Sequence, residues 1–532
     1  MFATNLTFSQ ISKNVTLFGQ LNPEPIHYAG SWGWTSPNGE EYALIGAFTG
    51  TSIISIDDSL NIHEVDFITG PSSNWREITV LNDYAYVVTE GSGFGEGMQV
   101  ISLATLPDSV SLVTTFSQTF GKAHIIGRDI YSDSNYVYVD GTQTLGGVHI
   151  LDVSNPANPI EVGDYSPYYI HDSHIRGNRL YASAFYNGTL DIVDISDKTN
   201  PTLITQISYT NPFTHSCWTS QDETHLFVTD EEDGTPARIW NIEDLNNIYE
   251  VAQYSANFQS LVHNPYILGD FVYITHNTEG LRIVDIADPS VPIEVGFYDT
   301  YSGPSGGFHG LWSAFPYFPS QKIIGANRAD GLYIFEFNQI HAGRIYGTVV
   351  DSLTDIPISN AQITIGETGR TTTTDNNGFF KIGELPSSEE GFLLGYTLNF
   401  SANGYNTKSL TDNVLSQSDS LFFEIKLVDI SVPVSESSNL PSLIKLEQNF
   451  PNPFNPSTLI NYELEIENYE LAKLVIFNTL GEKVKEFSLT ETKGSVVWNG
   501  KNDFGKEVAS GTYFYQIKTD IFSQTKKMIF LK

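Results

Sequence analysis

One cysteine, Cys217, stands in 532 residues, so no disulfide can form within the chain and its stability must come from burial and strand pairing. No run of the roughly 18 apolar residues that a spanning helix needs occurs, which excludes transmembrane helices. Basic residues are scarce: 27 Lys and Arg face 62 Asp and Glu, a formal charge of −35. The imbalance is local. Residues 440–532 hold 11 Lys and 11 acidic residues, which leaves 16 basic against 51 acidic in residues 1–439. Such a surface repels phosphate backbones and anionic lipid and attracts cations, so no nucleic-acid partner is expected; the same charge also serves solubility. The opening MFATNLTFSQ lacks the basic start and long apolar core of a signal peptide, and residues 1–13 are expected to be the remnant of a signal region or disordered.

Helical periodicity is also missing. Tyr, Phe, Thr, Val and Ile recur instead in short runs broken by Gly, Pro, Asn and Asp, which predicts an all-β protein of several domains. Seven segments share one phrase, SIISIDD, MQVISLA, VHILDVS, LDIVDIS, ARIWNIE, LRIVDIA and LYIFEFN, centred on Ser55, Ser102, Asp152, Asp194, Asn241, Asp285 and Glu336. Periods in the forties with several strands each predict propeller blades of four strands. The seventh unit runs into the next domain without a fourth strand, and VTLFGQL, Val15–Leu21, matches the fourth strands IEVGDY and IEVGFY. The expectation is a seven-bladed β-propeller closed by this N-terminal strand, which also covers an edge.

Ten residues before the aromatic of each second strand stand Trp32, Arg76, Arg128, His171 and His263; His215 lies twelve before Phe227 and His309 fifteen before Ile324. First strands are innermost in a propeller, so these side chains are expected to gather at one channel mouth. His171 and His174 of YIHDSH would face opposite ways on one strand, so His171 must find its partners on other blades. Asp172 follows His171, and TDEED brings Asp230 and Glu231 to the same side. The ring Arg76, Arg128, His171, His215, His263 and His309 can pin the blades together, hold a small anion, or serve catalysis. His171, Asp172, His215, Asp230, Glu231 and His263 supply nitrogen and oxygen ligands for a divalent metal ion. Cys217 beside Trp218 reads as packing. No serine elbow, zinc helix or phosphate loop supports an enzyme.

Over residues 14–340 the phrases WREI, YIHDSH, THSCW, TDEED, LVHNPYILG, GLRIVDI and LWSAFPYFPSQKI resemble the LVIVD-repeat, choice-of-anchor B proteins. The resemblance implies an exported protein. GRIYGTVVDSLTDIPISNAQITIGETG begins a segment, 343–428, that resembles a carboxypeptidase-regulatory-like β-sandwich; its TDNNGFF is a hairpin turn rather than a calcium loop, for no acidic residue follows in EF-hand register. A polar linker, 429–442, precedes 443–532, where LEQNFPNPFNPSTLINYEL, VIFNTLGEKV and the ending KKMIFLK resemble a type IX secretion sorting β-sandwich. That resemblance implies a type IX secretion machinery as partner and a location outside, or attached to the outer-membrane surface of, a Gram-negative bacterium. Together these readings predict an exported, monomeric binding or scaffold module with an unidentified extracellular ligand; the alternative is an exported, hydrolase-like enzyme using the channel mouth.

Overall fold

The computed structural model describes residues 12–430 and 444–532, apart from 25–26, 94, 144–145, 211, 387, 390–391, 394, 465–471, 479–482, 490 and 519–522. The expected N-terminal remnant up to residue 11 and residues 431–442 of the expected linker lie outside the described residues. The described residues are all-β, with one 3-10 turn at Phe185–Asn187 and no α-helix.

The chain forms two compact units, Met1–Ser431 and Val432–Lys532. The first contains seven antiparallel sheets built on the repeated phrase. In the fourth, Asp172–Arg176, Arg179–Ala184, Thr189–Asp194 and Thr202–Ser208 follow one another as first to fourth strands. The other sheets repeat this order, and the phrase always falls on the third strand. The seventh sheet takes its fourth strand from the N-terminus: Val15–Leu21 lies antiparallel on Gly331–Phe337. Ser12–Lys13 adds a fifth strand to the sixth sheet. Each first strand packs against the first strand of the next sheet, and Leu311–Phe315 of the seventh packs against Tyr28–Thr35 of the first.

These sheets bury both faces, so the third strands are largely buried along their length even where they carry Gln99, His149, Asp191, Arg238 or Arg282. Core clusters accordingly span neighbouring sheets: one joins Ile45 and Ile53 of the first sheet, Ile78 and Ile101 of the second, and Phe315 and Ile334 of the seventh. A recurrent bulge separates the third and fourth strands, and in IEVGDY the glycine beside it lets the next sheet approach. A Cβ on Gly163 would stand 2.0 Å from the Lys198 carbonyl oxygen.

Residues 343–428 form a three-stranded and a four-stranded sheet around Ile345, Val349, Ile363, Phe380 and Phe400, with a two-stranded ribbon, Ser388–Glu389 on Phe392–Leu393. They dock on the sixth sheet, where the Arg344 guanidinium bonds buried Asp285 at 2.7 Å. Asp375–Gly378 is a tight turn, with the Gly378 N–H donating to the Asp375 carbonyl and φ +71° at Gly378. The second unit is also two sheets, closed around Trp498, Tyr515, Ile460, Ile476 and Met528.

Candidate functional site

Side chains at the N-terminal ends of the first strands meet in a circuit of six aromatic rings. Centroids are 4.4 Å apart from His124 to His171, 4.5 Å to His215, 4.4 Å to His263, 4.2 Å to Trp312, 4.9 Å to Trp75, and 6.4 Å back to His124. The Arg328 guanidinium lies 4.3 Å from the Trp75 ring centre and 4.6 Å from that of Trp312, a desolvated cation held on two indole faces.

Three carboxylates serve the circuit. Glu231, just past the second strand of the fifth sheet, places its oxygens 3.7 Å from His171 Nε2 and 4.0 Å from His215 Nε2. Glu90 meets His124 Nδ1 at 2.7 Å, and Glu77 accepts a hydrogen bond from Trp312 Nε1 at 3.2 Å. One ligand atom each from His171, His215 and Glu231 lies within 4.8 Å of the others. His263 points Nδ1 at the Trp312 carbonyl, 3.2 Å away, and its Nε2 is buried without a hydrogen-bond partner.

Burial sets the protonation states. It drives His171 and His215 well below the ordinary imidazole range, with help from neighbouring histidines, and lowers His263 to about 3. Burial pushes Glu231 and Glu77 up to about 7 and Asp172 to about 6. His124 goes the other way: burial lowers it, but the Glu90 hydrogen bond and the charges of Glu90, Glu77 and Glu231 together raise it. Near neutral pH His171 and His215 are therefore uncharged imidazoles next to the Glu231 carboxyl poised to ionise, which is the state a metal ligand set requires.

The structure redistributes the residues picked out by spacing. His171, His215 and His263 enter the circuit; His309 does not. It is exposed and stacks on Tyr301 at 5.5 Å, and Trp312, twelve before Ile324 just as His215 is twelve before Phe227, takes the place expected for it. Arg128 bonds the Val80 carbonyl, because the first-to-second-strand turn of the third sheet is longer and His124 occupies the ring position. Arg76 is fully buried between sheets, donating to the Ala47 and Pro71 carbonyls. Trp32 packs on Phe315 in the core. Asp230 accepts from the Tyr209 hydroxyl and the Phe213 N–H and stays out of the centre. Asp172 is half-buried, with Ser216 hydrogen-bonding its carboxylate. His174 turns to Thr219 and Trp218, and Cys217 is buried with its thiol pushed up by burial. Spacing missed His124, Trp75, Trp312, Glu90 and Arg328; the histidine in KAHIIG was the one visible signal.

The opposite, C-terminal ends of the first strands carry a second aromatic group. Tyr131 and Tyr317 both donate to the Ile267 carbonyl, and Trp218 stacks on Tyr317 at 5.9 Å and donates to Tyr131.

An all-β protein of repeated four-stranded sheets, with a histidine-carboxylate centre at the strand ends, is the class that fold and site define. Residues 127–166, 172–208 and 264–300 match the LVIVD repeat, residues 344–428 the carboxypeptidase regulatory-like domain, and residues 450–531 the CHU_C type IX secretion signal domain. No curated protein matches the chain. The sorting domain makes this a secreted protein that engages the type IX secretion machinery, and no helix among the described residues is long and apolar enough to cross a membrane.

Proposed function

We propose that residues 14–340 are a seven-bladed β-propeller closed by Val15–Leu21, and that the exported, monomeric chain is a binding module, free or attached at the outer-membrane surface, that holds a divalent cation through His171, His215 and Glu231. The observation that carries this reading is the convergence of three donor atoms within 4.8 Å. Two imidazoles and a carboxylate suit a borderline ion such as zinc rather than calcium or magnesium, which prefer all-oxygen sets. Residues 343–428 act as a spacer and 443–532 as the export address. The enzyme alternative draws on the same triad, since three protein ligands leave a coordination position for water or substrate. Against a purely structural ring stands the buried, unpartnered Nε2 of His263, because buried polar atoms ordinarily find partners.

The test is metal analysis of protein purified without chelator, followed by zinc titration of the stripped protein. About one equivalent of zinc and a raised melting temperature are expected in wild type, with both lost in His215→Ala. Wild-type protein that neither retains zinc nor shifts on adding it would remove the metal and leave the ring as a blade-to-blade contact.

A further inference from the structure

Beside the ring, on its His124 side, a cavity of about 530 Å³ is lined by Glu90, Lys122, Thr142, Gln143 and Tyr169 together with Gly141. Its charge is organised. Glu90 is committed to His124, whereas Lys122, half-buried in the wall, has no carboxylate partner among the described residues. Elsewhere in the same unit Arg176, Arg238, Arg282 and Lys322 each pair with a glutamate, and Arg76, Arg128 and Lys198 donate to backbone carbonyls, whereas Lys122 has neither kind of partner among the described residues. In a chain of formal charge −35, a lysine left without an anion inside a cavity marks a place kept for one from outside.

The other walls specify more than charge. Tyr169 tilts against Tyr186 with centroids 5.2 Å apart and planes at 49°, and Tyr186 is 78% exposed, so a second, accessible aromatic ring stands next to the cavity's own. Gln143 adds a neutral, exposed amide, while the buried Thr142 hydroxyl is engaged with His149 Nε2 at 2.9 Å. Gly141, at φ +64°, keeps the corner open, since a Cβ there would come within 2.6 Å of His124 Cβ and 3.2 Å of the Tyr169 hydroxyl. A free cation, a neutral amide and an accessible aromatic side chain together fit a ring with an apolar side, hydroxyls and one negative charge. Glu90 on the same wall repels a dianion such as phosphate more than a single carboxylate.

We propose that this cavity binds an acidic sugar, with its carboxylate on Lys122 and its ring face on the Tyr169 and Tyr186 side chains. The assignment goes beyond the metal reading and does not depend on it, so it is tested on zinc-stripped and zinc-loaded protein alike. Full-length protein is titrated with D-glucuronate, methyl glucoside and inorganic phosphate, following ligand saturation transfer by NMR and heat by calorimetry. Glucuronate should bind at least about tenfold more tightly than either comparison, the scale of one charge-assisted hydrogen bond. Lys122→Met should erase that advantage while its melting temperature stays at the wild-type value, and Tyr186→Ala, at an exposed side chain, should weaken both sugars. Absence of glucuronate binding overturns the proposal, as does equal binding of methyl glucoside or phosphate, or a Lys122→Met protein that keeps the preference. Zinc retention without glucuronate binding would sink the sugar site alone; glucuronate binding without zinc would sink the metal alone.

Discussion

At the scale of single residues the centre is governed by what burial does to imidazole and carboxyl groups of opposite charge type. Desolvation favours the neutral form of both. For His171 and His215 the neutral form is the ligand, and for Glu231 it is the wrong one. Zinc must displace a proton from Glu231 at any pH below about 7, whereas the two imidazoles, held well below their ordinary range, need lose none. Zinc affinity should therefore rise with pH by about tenfold per unit up to about 7 and level off above it. Titrations between pH 5.5 and 8.5 check this, and an affinity independent of pH would show that Glu231 is not a ligand. His171→Ala and Glu231→Gln should each weaken zinc by about 100-fold or more, as removing a ligand costs at least as much as removing the partner that orients one. Stripped protein should keep its melting temperature within a few degrees in both variants. If the ring instead pinned sheets together, His171→Ala would cost about 1–3 kcal/mol of stability with no metal to lose.

At the scale of elements, the sequence made the repeat easy to read and the ring hard to read, for one physical reason. A third strand packed on both faces keeps its aliphatic positions in fixed order, and its phrase survives in every sheet. The turn between first and second strands lies at the surface, where length is free to vary, and counting across it carries the error forward. A count of ten from Tyr138 reaches Arg128, but the longer turn of the third sheet puts His124 in the ring; fifteen from Ile324 reaches His309, where the pairing puts Trp312. Where no turn intervened, as in matching Val15–Leu21 to IEVGDY by its glycine, the strand was legible. Two changes test this level. Deleting residues 1–22 strips the strand from Gly331–Phe337 and exposes an unpaired edge, which should lower the melting temperature by several degrees and promote self-association; an unchanged transition would show that the strand contributes little. Gly163→Ala drives a Cβ into the Lys198 carbonyl and should cost about 1–3 kcal/mol as overpacking, measured by denaturant titration.

At the scale of the whole molecule, charge and packing divide the chain at the same place. The last 93 residues are balanced in charge while the rest carries the acidic excess, and the second compact unit encloses its own core around Trp498 and Tyr515. The carboxylates and imidazoles of the candidate centre all belong to the first unit. A segment with its own core and none of the binding chemistry is suited to being an address, and the match to the type IX secretion signal domain covers residues 450–531. Removing residues 432–532 should accordingly leave zinc and glucuronate binding and the first unit's melting transition unchanged in purified protein. In the cell the truncated chain should accumulate in the periplasm instead of reaching the exterior. Fractionation separates the outcomes: truncated protein delivered outside would refute the export role, and purified truncated protein that no longer binds either ligand would show that the second unit takes part in the site.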